Sequence, residues 1–505
     1  MSSIEGDFMV ARSVLVVAII IVVIVIGLAA VFTVLSSTAS TTTQTTSAVI
    51  PSSSLSSSAS SYGISVNGNH TSSWLTYHMN LARDGYDEDE PSYQTVAPSL
   101  AWKSQMLDGA IYAEPLIYKG SVYAVTENNS VYALSETTGQ IVWRTNLGAP
   151  VPGNTLPCGD IDPSGITSTP VIDPNLDEIF VVAYLYPQQN HVLFALNTGD
   201  GGIIFQRNVN PPGVSPLTEQ QRAALSLAND TIYIPFGGLA GDCGVYHGYL
   251  LGVHEDNSSP TLSYQVPTMR EGAIWAPAGV AIDSNGIYAA TGNGASNTSA
   301  YDFSDAVVHL SFNLTETDYF APANWVMLSN YDLDLGSVDP TLLGNNTIFQ
   351  IGKQGIGYLL NESNLGGVGG QEYSAQVCDG SYGGTAYVPP VIYVPCTNGM
   401  FAITISESPN PSFAVLWNNT NFDAGSPIVA GGAVWTIDQS TGMLYALNPS
   451  TGATAFKYQL GGVSVGNSTI TFKYLLGAVE HFETPSSAGG LVFAGAADSI
   501  YAFSI

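Results

Sequence analysis

Basic residues are scarce in this chain: 11 Lys or Arg stand against 40 Asp or Glu, a net charge of −29. Phosphate backbones are held by cations, so the balance argues against a nucleic-acid partner. Charge of either sign is sparse, at 10% of residues. A carboxylate-coated halophilic surface is therefore not present. The composition points instead to an exterior in acidic surroundings, where many carboxylates carry a proton. Only four cysteines occur, Cys158, Cys243, Cys378 and Cys396. None belongs to a Cys-x-x-Cys-His motif, which excludes covalently attached haem. Four cysteines suit two disulfides in an oxidising compartment, and three pairings are open.

One stretch lacks charge altogether. Val14 to Leu35 is 22 residues without a charged side chain, and at about 1.5 Å per residue a helix of that length spans a bilayer core. Arg12 precedes it and no Lys or Arg follows until Arg83. The positive-inside bias then predicts residues 1–13 in the cytoplasm, a transmembrane helix over 14–35, and the rest outside the cell membrane. Residues 36–73 read as an extracellular stalk. Within 36–61, 18 of 26 residues are Ser or Thr, too few apolar groups to fold. Ten Asn-x-Ser/Thr sequons, at Asn69, Asn128, Asn229, Asn257, Asn297, Asn313, Asn345, Asn361, Asn418 and Asn467, agree with an external glycoprotein.

From Trp74 to Ile505 the sequence repeats itself. The clearest unit, "SVYAVTENNSVYALSETTGQIVWRTNL", reads as strand, turn, strand ending in Ala-Leu, Thr-Thr-Gly, and a strand carrying Trp143. The same cadence returns at "HVLFALNTGDGGIIFQRNV" and "MLYALNPSTGATAFKYQL". The glycine supplies a positive φ in a tight hairpin, and the aromatic after it packs between units. Short strands with small residues, usually with Pro, precede the units. They start at Ala113, Thr167, Gln221, Trp275, Ser337, Gly383, Gly425 and Glu483. Read as innermost strands, they predict an all-β, eight-bladed β-propeller over 74–505. A spare strand at "PSLAWKSQML" is expected to close the ring as the outer strand of the last blade. Starts of inner strands and their loops converge on the axial funnel. Glu114, Arg222, Trp275, Asp339, His481 and Glu483 are therefore candidate site residues, with Asp160, Asp242, Asp332, Asp334 and Lys353 from the loops.

The repeat is similar to the "A-x-D-x-x-T-G-x-x-x-W" unit of quinoprotein propellers, with Ser135, Asn197 or Asn448 where that family has Asp. The chain resembles the PQQ-dependent alcohol dehydrogenases in site order as well. Glu114-Pro115 stands where the family's first inner strand approaches the quinone. "GDCGVYHGYL" stands at a calcium-ligating loop, with Asp242 at the ligand and His247 near a family Arg. "WAPAGVAIDSNGIYAATGNG" places Trp275 at the ring-stacking Trp and Asn293 at a calcium-binding Asn. "NYDLDLGS" offers Asp332 or Asp334 as the catalytic base, and "GKQGIGYLL" offers Lys353 as a quinone contact. Arg222 joins these as a cofactor-binding candidate. The resemblance implies PQQ, calcium and oxidation of an alcohol or sugar-like substrate. The vicinal cysteine pair of the family is missing, because Gly159 follows Cys158, and so is the Arg after it. In this architecture Cys158 and Cys243 fall in two funnel-capping loops, and Cys378 and Cys396 fall in one blade, which sets the expected pairing. Propellers of this repeat also serve as scaffolds, so a non-catalytic cell-surface propeller binding a protein or glycan is the alternative.

Overall fold

The structure, a computed structural model, describes residues 73–90, 97–295, 300–406, 410–461, 463–465, 468–470 and 479–505. The expected transmembrane span and the sequons at Asn69, Asn297 and Asn467 lie outside the described residues. No helix among the described residues is long and apolar enough to cross a membrane.

Eight antiparallel sheets, each built round four strands, follow one another along the chain. Their innermost strands are Leu116–Tyr118, Val171–Asp173, Ser226–Ala228, Ala281–Ile282, Thr341–Gly344, Ala386–Val388, Ile428–Ala430 and Ser486–Ala488. We number the blades one to eight in that order. The eight-bladed, all-β expectation holds. So does the closure: Ser99–Lys103 pairs with Ser499–Ser504 and supplies blade eight with its outer strand. Each inner strand begins a few residues later than the repeat suggests. The Pro and small residues ahead of it make only isolated pairings, such as Gly425 N–H to the Ile437 carbonyl at 2.8 Å, and run as extended loop.

The Thr-Gly hairpins explain how blades dock. The indole N–H groups of Trp102, Trp143 and Trp417 donate to the carbonyls of Glu136, Thr198 and Pro449 in the next blade, at 2.8, 2.9 and 2.8 Å. Their rings lie on Gly139, Gly201 and Gly452, whose φ angles are +68°, +70° and +70°. A Cβ at those glycines would come within 2.4, 2.5 and 2.3 Å of the indoles. Glycine is thus required for the backbone turn and for the space. Trp102 sits on the closing strand, so the same contact seals blade eight against blade one.

The first described segment belongs to no blade. Residues 74–90 run round the axis and pair with the inner edges of the blades. Trp74 exchanges backbone hydrogen bonds with Ile117 of blade one, at 2.9 Å each way. The carbonyls of Leu75, Leu81, Ala82, Asp84 and Gly85 accept from Ile172, Ile282, Leu342, Tyr387 and Val429, in blades two, four, five, six and seven. Arg83 reaches the Ser226 hydroxyl of blade three at 2.6 Å, and Asp87 accepts from Ser487 of blade eight at 2.7 Å. Inner strands of a propeller present an unpaired edge to the axis, and buried backbone groups need partners. This segment, read from sequence as the start of the repeats, is an axial plug that touches all eight blades.

Candidate functional site

The plug divides the axis. Arg83 is fully buried, and its guanidinium donates to the carbonyls of Val280 and Tyr77 and the hydroxyls of Thr76 and Ser226, at 3.1, 2.7, 2.9 and 2.6 Å. Glu114 faces it, accepting the backbone N–H of His78 at 2.9 Å. Burial pushes Glu114, Asp339 and Glu483 well above the usual carboxyl range. The carboxyl groups of Asp339 and Glu483 meet no side-chain hydrogen-bond donor among the described residues. Burial also lowers His78 to about 3. Glu114 was expected to approach a cofactor. It lies instead in the packed axis, closed off by the plug, and Asp339 and Glu483 share that fate.

On the other side of the plug lies a small recess of about 10 Å³, room for about one water, lined by Tyr77 of the plug, Tyr112, Arg222, His481 and Phe482 among others. An aromatic and cationic cluster adjoins it at Phe482 and Arg222. Trp275, Tyr382 and Phe482 form a triangle with ring centroids 6.1 to 6.4 Å apart. Arg222 lies 5.9 Å from the Trp275 ring and 5.4 Å from Phe482, and Lys353 lies 5.5 Å from Trp275. Such distances suit cation–π attraction. The Lys353 ammonium pairs with Asp332 and Asp334 at 2.7 and 2.6 Å. Burial alone would lower this lysine, but the two carboxylates push it up, so it stays charged. Asp334 is raised by burial, and Lys353 and the Asn293 N–H, at 2.5 Å, restrain that shift.

The structure therefore brings together Trp275, Arg222, Lys353, Asp332, Asp334 and the backbone of Asn293. Asp242 and Asn293, the expected calcium ligands, each have protein partners. Asp242 accepts the Tyr246 hydroxyl at 2.5 Å, and its own carbonyl accepts from Arg270 at 3.2 Å. Arg270 in turn pairs with Glu271. His247 turns aside, its backbone N–H meeting Glu219 at 3.2 Å. Among the described residues no three His, Cys, Asp or Glu side chains are placed to hold a metal. Both expected disulfides form, Cys158–Cys243 and Cys378–Cys396. They place the chain in an oxidising, extracytoplasmic compartment. The first ties the loop between blades one and two to the loop between the second and third strands of blade three, Thr231–Gly238 and Tyr249–His254.

Sequence reasoning missed Tyr112, Tyr382 and Phe482, and it missed the plug. The three rings had a usable signal. Each stands one to three residues before a Pro or Gly pair that opens an inner strand, as Trp275 does. Asp305 was also missed; it accepts from Ser329 and from the Leu335 N–H at 2.8 and 3.0 Å and fixes the Asp334 loop.

Residues 97–310 match a family model, PQQ_2, described as outer membrane protein assembly factor BamB. No curated protein sequence matches the chain. Several solved structures share its fold. A europium-containing methanol dehydrogenase is 13% identical with a TM-score of 0.64, over 86% of this chain and 98% of that one. Quinohemoprotein alcohol dehydrogenase from Comamonas testosteroni is 14% identical with a TM-score of 0.63, over 86% and 80%. BamB from Moraxella catarrhalis is 13% identical with a TM-score of 0.52, over 81% and 98%. The class is thus a closed repeat β-propeller. Within it, this chain is an eight-bladed propeller whose residues 97–310 match the PQQ_2 model, and its fold is shared with the dehydrogenases and BamB above. Fold alone does not carry an activity.

Proposed function

We propose that this chain is a non-catalytic, extracytoplasmic ligand-binding propeller, tethered to the cell membrane through Val14–Leu35, whose funnel receives a ring-bearing ligand such as the end of a glycan. The observation that carries this reading is the placement of Lys353. Its ammonium occupies the space between Asp332 and Asp334, where a catalytic base must stand free to take a proton. An aromatic wall with a few convergent polar groups is what ring-binding sites require.

The other reading, oxidation of an alcohol or sugar-like substrate with PQQ and calcium, draws support from the shared wall position of Trp275, Asp334 and Lys353. The residues present do not fit that pair of groups. A hard cation needs six or so oxygens, one Asp242 carboxyl oxygen is already taken by the Tyr246 hydroxyl at 2.5 Å, and no three acidic, His or Cys side chains gather among the described residues.

Titration with PQQ and calcium chloride, followed by quinone absorbance and by dye reduction with alcohols, separates the two readings. The expected result is no calcium-dependent uptake and no turnover. Stoichiometric, calcium-dependent PQQ binding that disappears in Trp275→Ala would overturn the proposal.

A further inference from the structure

Three of the Asn-x-Ser/Thr sequons stand at the tips of hairpins. Asn229 lies between Ser226–Ala228 and Thr231–Gly238, the first and second strands of blade three. Asn257 lies between Tyr249–His254 and Leu262–Gln265, the third and fourth strands of the same blade. Asn313 lies between Val307–Leu310 and Glu316–Ala321, the third and fourth strands of blade four. In an antiparallel four-stranded blade the first and third hairpins share one end, and the second hairpin lies at the other. The three asparagines therefore share one face. It is opposite the end where Lys353 lies, in the second hairpin of blade five, between Thr347–Gln350 and Ile356–Asn361.

All three side chains are exposed. Among the described residues none of their amide nitrogens makes a hydrogen bond; Asn257 only accepts, through its Oδ1, from Arg207 at 2.9 Å. The hydroxyl residues two positions on can be reached as well: Ser259 and Thr315 are exposed, and Thr231 is half-buried. Turn geometry accounts for part of the pattern. Asn229 and Asp230 take φ angles of +49° and +56°, a left-handed pair that favours Asn, and Asn257 takes +58°. In the blade-four turn the positive φ, +58°, belongs to Leu314, so left-handed backbone does not account for Asn313.

Asn128 is the contrast. It lies in the second hairpin of blade one, between Ser121–Val125 and Ser130–Ser135. Its Nδ2 donates to Asp108 at 2.8 Å, and the Ser130 hydroxyl donates to the same carboxylate at 2.7 Å. Asn129 and Ser130 are fully buried, so the last two residues of this sequon are out of an enzyme's reach in the folded chain.

We propose that Asn229, Asn257 and Asn313 carry N-linked glycans on one face of blades three and four, while Asn128 of the folded protein stays bare. The donor is a lipid-phosphate-linked oligosaccharide in the same extracytoplasmic compartment as the two disulfides. Each Nδ2 attacks the anomeric carbon of the donor. The C–N bond forms as the anomeric C–O bond breaks, the lipid phosphate leaves, and one amide proton passes to a base. Bulky, hydrated glycans then hold this face in solvent. The proposal is independent of what the funnel receives.

The test is site mapping of the full chain secreted from a eukaryotic host. Peptide-N-glycosidase in heavy-oxygen water converts each glycan-bearing Asn into labelled Asp, and mass spectrometry of chymotryptic peptides reads the label. The expected result is label at Asn229, Asn257 and Asn313 and none at Asn128. Thr231→Val, Ser259→Ala and Thr315→Val, which keep the Asn and remove the hydroxyl, should each take away the mass of one glycan. Asn128→Gln should leave the glycan mass unchanged. Label at Asn128, or its absence from any one of the three hairpin sites, overturns the proposal.

Discussion

Raising the pH from 6.5 to 8 should destabilise this protein, the reverse of ordinary acid denaturation. Glu127 is buried, accepts the Gly165 N–H at 2.5 Å, and is raised by burial from 4.5 to about 7. Glu219, equally buried, is raised from 4.5 to about 8. A folded-state value above the unfolded one means that the native state holds more protons, so stability falls as pH rises between the two. Below 4.5 neither group penalises the fold. At about 1.4 kcal/mol per unit, Glu127 loses about 3 kcal/mol across pH 4.5 to 7 and Glu219 about 5 kcal/mol across pH 4.5 to 8. Glu114, Asp339 and Glu483 act in the same direction. Asp108 opposes them. Burial raises it, but hydrogen bonds from Ser130, Asn128 and Thr126 and the Arg144 charge bring it below its ordinary value, and that contribution is lost only as pH falls through the acid range. His78, His191 and His481, lowered by burial from 6.5 to about 3, 3 and 4, also oppose them below pH 6.5, so the fall is read above that pH, where the histidines no longer titrate. Urea unfolding followed by Trp fluorescence at several pH values measures the slope, and Glu127→Gln should differ from wild type by about 3 kcal/mol across pH 4.5 to 8. Stability that is flat or rising between pH 6.5 and 8, or a Glu127→Gln variant with the wild-type profile, would refute the reasoning.

Two further outcomes test the architecture. Gly201→Ala should destabilise by about 2–4 kcal/mol, combining left-handed strain with overpacking, because its Cβ would stand 2.5 Å from Trp143; denaturant midpoints check this, and Gly120→Ala, a positive-φ glycine with open space, isolates the strain alone. Arg83→Gln should lower stability by about 3–5 kcal/mol, since four acceptors in the plug and in blades three and four lose their donor. Hydrogen exchange should then show early opening at Ile172, Ile282 and Leu342, whose amides pair with the plug.

The fold was legible because propeller repeats write the same local instructions many times. Thr-Gly before an aromatic marks a hairpin and a docking surface at once, as at Gly139 and Gly201. The disulfides followed from architecture, since loops that cap one funnel must meet. The site was legible in part. Trp275, Asp334 and Lys353 lie close to inner-strand starts, where repeat register fixes their direction. Glu114 occupies the same register but ends in the packed axis, because the plug covers it. Nothing in the local pattern of residues 74–90 announces that role. Its hydrogen bonds to the blades go to partners tens to hundreds of residues away, and periodicity carries no information about such pairings. Asp242 lies in a non-repeating loop, and its hydrogen bond from Tyr246 could not be read from the repeat.

The join between Ser99–Lys103 and Ser499–Ser504 has a consequence for how the protein is made. Strand partners separated by 405 residues cannot meet until nearly the whole domain has left the ribosome. Until then the plug has only some of its eight attachment points, and blade one shows an open flank with Gly139 waiting for Trp102. Long-range pairings of this kind slow folding and leave sticky edges exposed. Newly synthesised chains should thus be most vulnerable to proteases and misassociation late in synthesis, when seven blades exist and the ring is still a horseshoe.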